Sequence, residues 1–146
     1  ADDLIYSKQI QPGLLKYLLP FYLKAASQAV FYGNKIATDI FQADMIVFSM
    51  PVYWYSIPAQ IKCVIDKLFS FVVGGKDIAG KDCALIACCE EDDMSVFDGV
   101  RIPIERSAAL LKWNMVGEVL VPGVLNVGDI EKTDGCKKAI ALAESI

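Results

Sequence analysis

ADMIVFSMPVYWYSIPAQIK, residues 43–62, is the stretch on which the reading of this chain turns. Met45 to Met50 is a short, unbroken apolar run, the pattern of a strand covered on both faces. Pro51 ends it. After Val52-Tyr53-Trp54-Tyr55, Ser56 and Pro58 have the chemistry of a helix start, because serine caps and proline tolerates the first turn. Ile61, Ile65, Leu68, Phe69 and Val72 then recur at helical spacing and predict one apolar face, which Gly74-Gly75 ends.

The same strand-then-helix unit repeats downstream. Cys83 to Cys88 reads as a second buried strand, followed by the acidic loop Glu90-Glu91-Asp92-Asp93. A helix is expected from Val96 to Trp113, with Ile104, Ala108 and Leu111 on one side and Pro103 disturbing its start. Val116 to Val121 is a third strand closed by Pro122-Gly123, and a last helix spans Glu131 to Ser145 with Ala139, Leu142 and Ile146 apolar. Alternation of strand and helix predicts an α/β domain, a doubly wound parallel sheet with helices on both faces. Upstream, Leu4 to Ser7 reads as a short strand and Asn34 to Gln42 as a helix. Residues 1–146 are expected to form a single domain, of which 1–42 is atypical or incomplete.

Composition narrows the function. At 146 residues with 55% hydrophobic and 22% charged content, the chain has the makeup of a core-rich globular domain. Fourteen scattered basic residues against 18 acidic ones give a net charge of −4, so no nucleic-acid partner is expected. There is no histidine, which removes Ser-His-Asp and Cys-His hydrolases and the common zinc sites. The five cysteines are odd in number and form no C-x-x-C, which reads as free thiols in a reducing cytoplasm. No secretory leader pattern opens the chain. Leu14 to Tyr32 is apolar, but Lys16, Lys24 and Pro20 interrupt it, so no membrane span is expected.

Several motifs fail on inspection. Gly75 to Asp82 nearly spells a phosphate-binding loop, yet Asp82 stands where a hydroxyl is needed, and the segment follows a helix instead of a strand. No G-x-G-x-x-G occurs. Glu90 to Asp93 lacks the alternate ligand spacing and glycine turn of an EF-hand, which leaves a solvated loop at the carboxyl end of a strand, where open α/β sheets bind ligands. A phospho-accepting receiver needs an aspartate where Ser49-Met50-Pro51 stands. The three aromatics Tyr53-Trp54-Tyr55 are a poor choice for a solvated turn. They suit either a platform for a flat ligand or a tucked hydrophobic plug or subunit contact.

Residues 43–62, continuing to Ile65-Asp66-Lys67, closely resemble the NADPH-dependent FMN reductase family of flavodoxin-like proteins, whose pattern is A-D-x-I-V-F-x-x-P-V-Y-W, then S-x-P-A-Q-x-K and a terminal D-R. Here Lys67 replaces the arginine. Gly80-Lys81, Val121-Pro122-Gly123 and Val127-Gly128-Asp129-Ile130 are also similar, so the resemblance covers residues 43–146. It implies a five-stranded parallel sheet in the flavodoxin order and a homodimer or homotetramer. It also implies FMN as cofactor, NAD(P)H as donor and a small-molecule electron acceptor such as a quinone, a nitro compound or free flavin. By the same resemblance Pro51, Val52, Tyr53, Trp54, Tyr55 and Ser56 lie against the flavin ring, and Cys88, Cys89, Glu90 and Glu91 approach its pyrimidine end. Hydride transfer through a flavin needs no protein acid or base, so no catalytic residue is implied and the missing histidine is no obstacle. Carboxylates at that end are expected to lower the flavin potential.

The N-terminal third departs from the family. No glycine- and serine-rich loop for the FMN phosphate is seen, Ala1 to Tyr6 looks like the family's second strand, and Gly13 stands where many members have cysteine. A first strand missing from the chain would leave an unpaired slot. Residues preceding this sequence, another copy, or Leu14–Tyr32 would fill it. Alternatively the chain is a non-catalytic flavodoxin-like binding or assembly module that has lost FMN.

Overall fold

The computed structural model describes residue 36 and residues 38–146. Residues 38–42 are helical and lead into strand β1, Met45–Pro51. There follow helix α1 (Ala59–Val73), strand β2 (Asp82–Cys88), a 3-10 turn (Met94–Phe97), helix α2 (Asp98–Leu111) and strand β3 (Asn114–Val121). A second 3-10 turn (Asp129–Lys132) precedes helix α3, Gly135–Ser145. The strands form a parallel sheet in the order β1-β2-β3, with Phe48 opposite Leu85 and Leu85 opposite Glu118. A shift in register between Cys83 and Ala84 leaves Val116 without a partner on β2.

β2 is central because its sequence can be buried on both sides. Cys83, Ala84 and Leu85 are fully inaccessible. One face of the sheet carries Ile46, Phe48, Met50, Cys83, Leu85 and Ala87, and packs on α1 through Val64 and Leu68 and on α2 through Val100, Ile104, Ala108 and Leu111. Full burial of such side chains stabilises by about 1.5–3 kcal/mol each. Trp113, just past α2, stacks on Phe48 at 6.5 Å between ring centroids and donates its indole N–H to the Ile78 carbonyl. α3 covers the other face at β3, where the Leu142 side chain lies over Gly117 and Gly135 abuts Val121. Helices therefore lie on both faces, as the alternating pattern predicts.

The near-miss phosphate loop is a turn. The Lys81 ammonium donates to the carbonyls of Phe41 and Ala43, and so ties the end of the 38–42 segment to the start of β2. Lysine satisfies terminal helix carbonyls in this way.

Several expectations are corrected. Among the described residues β1 is covered on one face: Ile46, Phe48 and Met50 are buried, while Val47 is 51% exposed and Ser49 and Pro51 are also exposed. Ser56 does not cap α1, which begins at Ala59 after Pro58 with no side-chain cap, because the backbone of Ser56 closes a tight turn with Tyr53. The buried stripe of α1 runs through Val64 and Leu68, with Ile61, Ile65 and Phe71 beside it; Phe69 and Val72 face outward. α2 starts at Asp98 after a 3-10 turn and runs continuously through Pro103. α3 starts at Gly135, because Asp129–Lys132 forms its own turn, and Ile146 is exposed. The expected strand at Leu4–Ser7, the reading of Leu14–Tyr32 and the slot of a first strand concern residues outside those described. The described sheet has three strands of the five that the resemblance implies.

Candidate functional site

The carboxyl ends of the three strands are joined by main-chain hydrogen bonds. Val52 N–H donates to the Cys88 carbonyl (2.9 Å), Cys89 N–H to Val121 (3.1 Å) and Val124 N–H to Cys89 (2.8 Å). Gly123 N–H donates to the Glu91 carbonyl at 3.1 Å. The loops that follow β1, β2 and β3 thus form one connected rim. At Gly123, with φ +70°, a Cβ would sit 2.7 Å from an Asp92 carboxylate oxygen, so the loop needs glycine there.

The loop after β1 is a tight reversal. Tyr53 and Ser56 exchange both backbone hydrogen bonds (3.2 and 3.0 Å), and the residues between them, Trp54 and Tyr55, have φ of 49° and 57°. Such two-residue turns favour asparagine and glycine, because a Cβ in the left-handed region crowds the following carbonyl. Bulky aromatics held there are a strained feature of the kind that clusters at ligand clamps. The turn is held in place: Ile57, which follows it, is buried, and Gly99 in the first turn of α2 presses against the Tyr55 carbonyl. Trp54 is left 95% exposed.

Opposite this turn lies the loop after β2, and between them is a cleft of about 310 Å³. Val52, Trp54 and Tyr55 form one wall, Cys89, Glu90 and Glu91 the other, and Val96 closes it. Across the mouth the Tyr55 hydroxyl donates to the Glu91 carboxylate, which pushes the phenol above its ordinary pKa, with the Glu90 charge adding to the effect. The Cys89 thiol is buried and donates to the Glu91 carbonyl (3.2 Å), and burial pushes both the Cys88 and Cys89 thiols up. They stay protonated near neutral pH and are poor nucleophiles. Asp93 has a structural role: its carboxylate accepts the Ser95 N–H and hydroxyl (both 2.8 Å), which start the 3-10 turn and lower its pKa.

The structure brings Val52, Trp54, Tyr55, Cys89, Glu90 and Glu91 of the expected residues around this cleft. Tyr53 and Ser56 brace the turn and do not line it. Pro51 and Cys88 point to a second, apolar cleft on the opposite sheet face, shared with Ser49, Ile86 and Cys136. Sequence reasoning missed Val96 and Gly99. The available signal for Gly99 was a glycine in the first turn of a helix, where its low helix propensity calls for another reason.

Comparison with known proteins gives a family model, described as flavodoxin-like fold, that matches residues 6–108. Over 70 residues the chain is 36% identical to an FMN-dependent NADH:quinone oxidoreductase of Bordetella petrii, a match that takes in 47% of this chain and 33% of that protein. The match therefore spans about a third of that curated relative's length. Among solved structures, the Trp repressor binding protein from Bacillus subtilis superposes with a TM-score of 0.64 at 19% identity, covering 75% of this chain and 74% of that one. An NADPH-quinone reductase from P. pentosaceus gives 0.53 at 20% identity, covering 68% of each. The parallel sheet, its helices on both faces, the cleft at its carboxyl edge and the family match agree: this chain belongs to the flavodoxin-like fold family.

Proposed function

We propose that the chain serves an FMN-dependent NAD(P)H oxidoreductase that passes electrons to a small acceptor such as a quinone, a nitro compound or free flavin. The observation that carries this reading is the cleft in which the strained Trp54–Tyr55 turn faces the Cys89–Glu91 loop.

The residues present fit the ring portion of FMN. The cleft is at the lower end of the size range of small-molecule sites, about 300 Å³ upward, with an apolar and aromatic side (Val52, Trp54, Tyr55, Val96) and an acidic side (Glu90, Glu91). The backbone N–H groups of Trp54, Tyr55 and Glu90 have no hydrogen-bond acceptor among the described residues, which leaves them for ring carbonyls and nitrogens. Residues able to hold the phosphate are not among those described. When bound, FMN supplies the hydride chemistry itself. The chain's part is to bind and orient: Trp54 and Tyr55 offer aromatic surface, Val52 and Val96 exclude water, and Glu91 keeps the Tyr55 hydroxyl proton in place.

A cytoplasmic homodimer or homotetramer completes the proposal. All five cysteines are free, in keeping with a reducing compartment, and Phe69 and Val73 on α1 present apolar surface of the kind subunits cover. Among the described residues no helix is long and apolar enough to cross a membrane.

The test is FMN binding by the full chain, read from the visible flavin band after excess ligand is removed and from quenching of Trp54 fluorescence. A retained, shifted band is expected, followed by bleaching with NAD(P)H. A chain that holds no flavin overturns the reading in favour of a non-catalytic module.

A further inference from the structure

The second cleft, of about 310 Å³, opens on the sheet face that α3 covers. Its lining is apolar apart from Ser49 and two thiols, Cys88 from the end of β2 and Cys136 from the first turn of α3. The fold sets these two near each other. Cys88 stands opposite Val121 in the strand ladder. Val121 in turn meets Gly135, where a Cβ would sit 2.6 Å from its side chain, so glycine lets α3 start hard against the sheet. Cys136 is the next residue. The remaining cysteines are placed otherwise: Cys83 is buried against the Met115 sulfur, Cys89 is engaged by the Glu91 backbone, and Cys63 lies on α1 across the sheet. Among the described residues no hydrogen bond holds the thiol of Cys88 or of Cys136.

We propose that Cys88 and Cys136 are a redox-active dithiol, closed to a disulfide across this cleft by small organic disulfides such as oxidised glutathione. Access sets the order of events. Cys136 is exposed and meets the incoming disulfide RSSR, whereas Cys88 is half-buried, kept protonated by burial, and reaches a sulfur already seated in the cleft. The Cys136 sulfur attacks RSSR, forming a Cys136–S–S–R bond and releasing RSH with the proton that Cys136 gives up. The Cys88 sulfur then attacks the Cys136 sulfur, and the second RSH leaves with the Cys88 proton. Two protein thiols lose two electrons and two protons, and one small disulfide becomes two thiols. In a reducing compartment the pair rests open and closes when disulfides accumulate. The Cys88 carbonyl accepts the Val52 N–H, so closure ties the first turn of α3 to the base of the rim, with or without flavin in the other cleft.

The full chain, reduced and then freed of reductant, is incubated with oxidised glutathione, and intact mass, free-thiol titration and non-reducing peptide maps are recorded. Wild type is expected to lose two of its five free thiols and two hydrogens, to keep no glutathione, and to unfold at higher urea than the reduced protein. Cys88→Ser should stop with one glutathione on Cys136. Cys136→Ser should leave Cys88 unmodified, and Cys63→Ser should close as wild type does. Phenylarsine oxide gives a test free of variants, because its arsenic takes two neighbouring thiols with loss of one water. One equivalent should protect Cys88 and Cys136 together from later alkylation in the native wild type. A lasting glutathione adduct on wild-type Cys136, a dimer cross-linked through Cys136, or an internal cross-link that persists in Cys88→Ser overturns the inference. Phenylarsine oxide that leaves both thiols open to alkylation does the same.

Discussion

Gly99 and the carbonyl of Tyr55 are in direct contact: a Cβ at position 99 would stand 1.6 Å from the Tyr55 oxygen. The first turn of α2 is thereby pressed against the backbone of the strained aromatic turn, and no other residue type leaves room for it.

Gly99→Ala sets two effects against each other. Alanine should favour the helix by about 1 kcal/mol, but a forced overlap with backbone costs about 1–3 kcal/mol and moves the turn. The clash is expected to win. Urea denaturation should show a lower midpoint, and the fluorescence of Trp54 should shift as its turn is displaced. An unchanged midpoint and spectrum would show that the contact does not hold the turn.

Trp54→Gly should behave oppositely for stability and for binding. The side chain is 95% exposed, so little packing is lost, while relief of the left-handed backbone is worth about 1–2 kcal/mol. The variant is expected to unfold at higher denaturant and to bind FMN less well. A variant both less stable and equally competent in binding would contradict the role given to this turn.

Glu91→Gln should lower the Tyr55 pKa. The carboxylate accepts the phenol hydrogen bond and opposes the phenolate, so its removal lets the proton leave at lower pH. Ultraviolet difference titration of wild type against the variant should show one tyrosine ionising earlier in the variant. Superimposable titration curves would mean that the pair does not form.

Asp129 should titrate far below an ordinary aspartate. Its carboxylate accepts the Lys132 ammonium (2.7 Å) and the Asn126 N–H (2.6 Å), which hold its pKa at about 2. A depressed folded-state pKa stabilises the fold above the ordinary value and loses that contribution as pH falls toward the folded value. The 126–132 loop is thus expected to loosen between about pH 4 and about pH 2. Carboxyl NMR titration checks this, and Lys132→Met should raise the Asp129 value.

Much of the scaffold was legible because it is written in apolar runs. Met45–Met50 and Cys83–Cys88 read as strands, and Ile104, Ala108 and Leu111 marked the buried side of α2. The boundaries were less legible where turn chemistry competes with capping: Ser56 has the credentials of a cap but its backbone closes a turn instead. That turn carries no asparagine or glycine, so its left-handed pair could not be foreseen from Trp54 and Tyr55. The loops of the cleft were named by resemblance. Their convergence depends on Val96 and Gly99, whose roles are set by contacts with residues more than 40 positions away in the chain and leave no periodic trace. Phe69 and Val72 fit a helical stripe by spacing, but the rotation of α1 against the sheet turns Val64 and Leu68 inward.

The rim that links Val52, Cys88, Cys89, Val121 and Val124 is made of amide groups, and amides are the same whatever side chain each residue carries. A frame of that kind is indifferent to what is mounted on it. Positions 54, 90 and 91 can be rewritten without unpicking the knit that holds them, so one lineage can exchange its ligands by changing the furnishings of a room whose walls stay where they are.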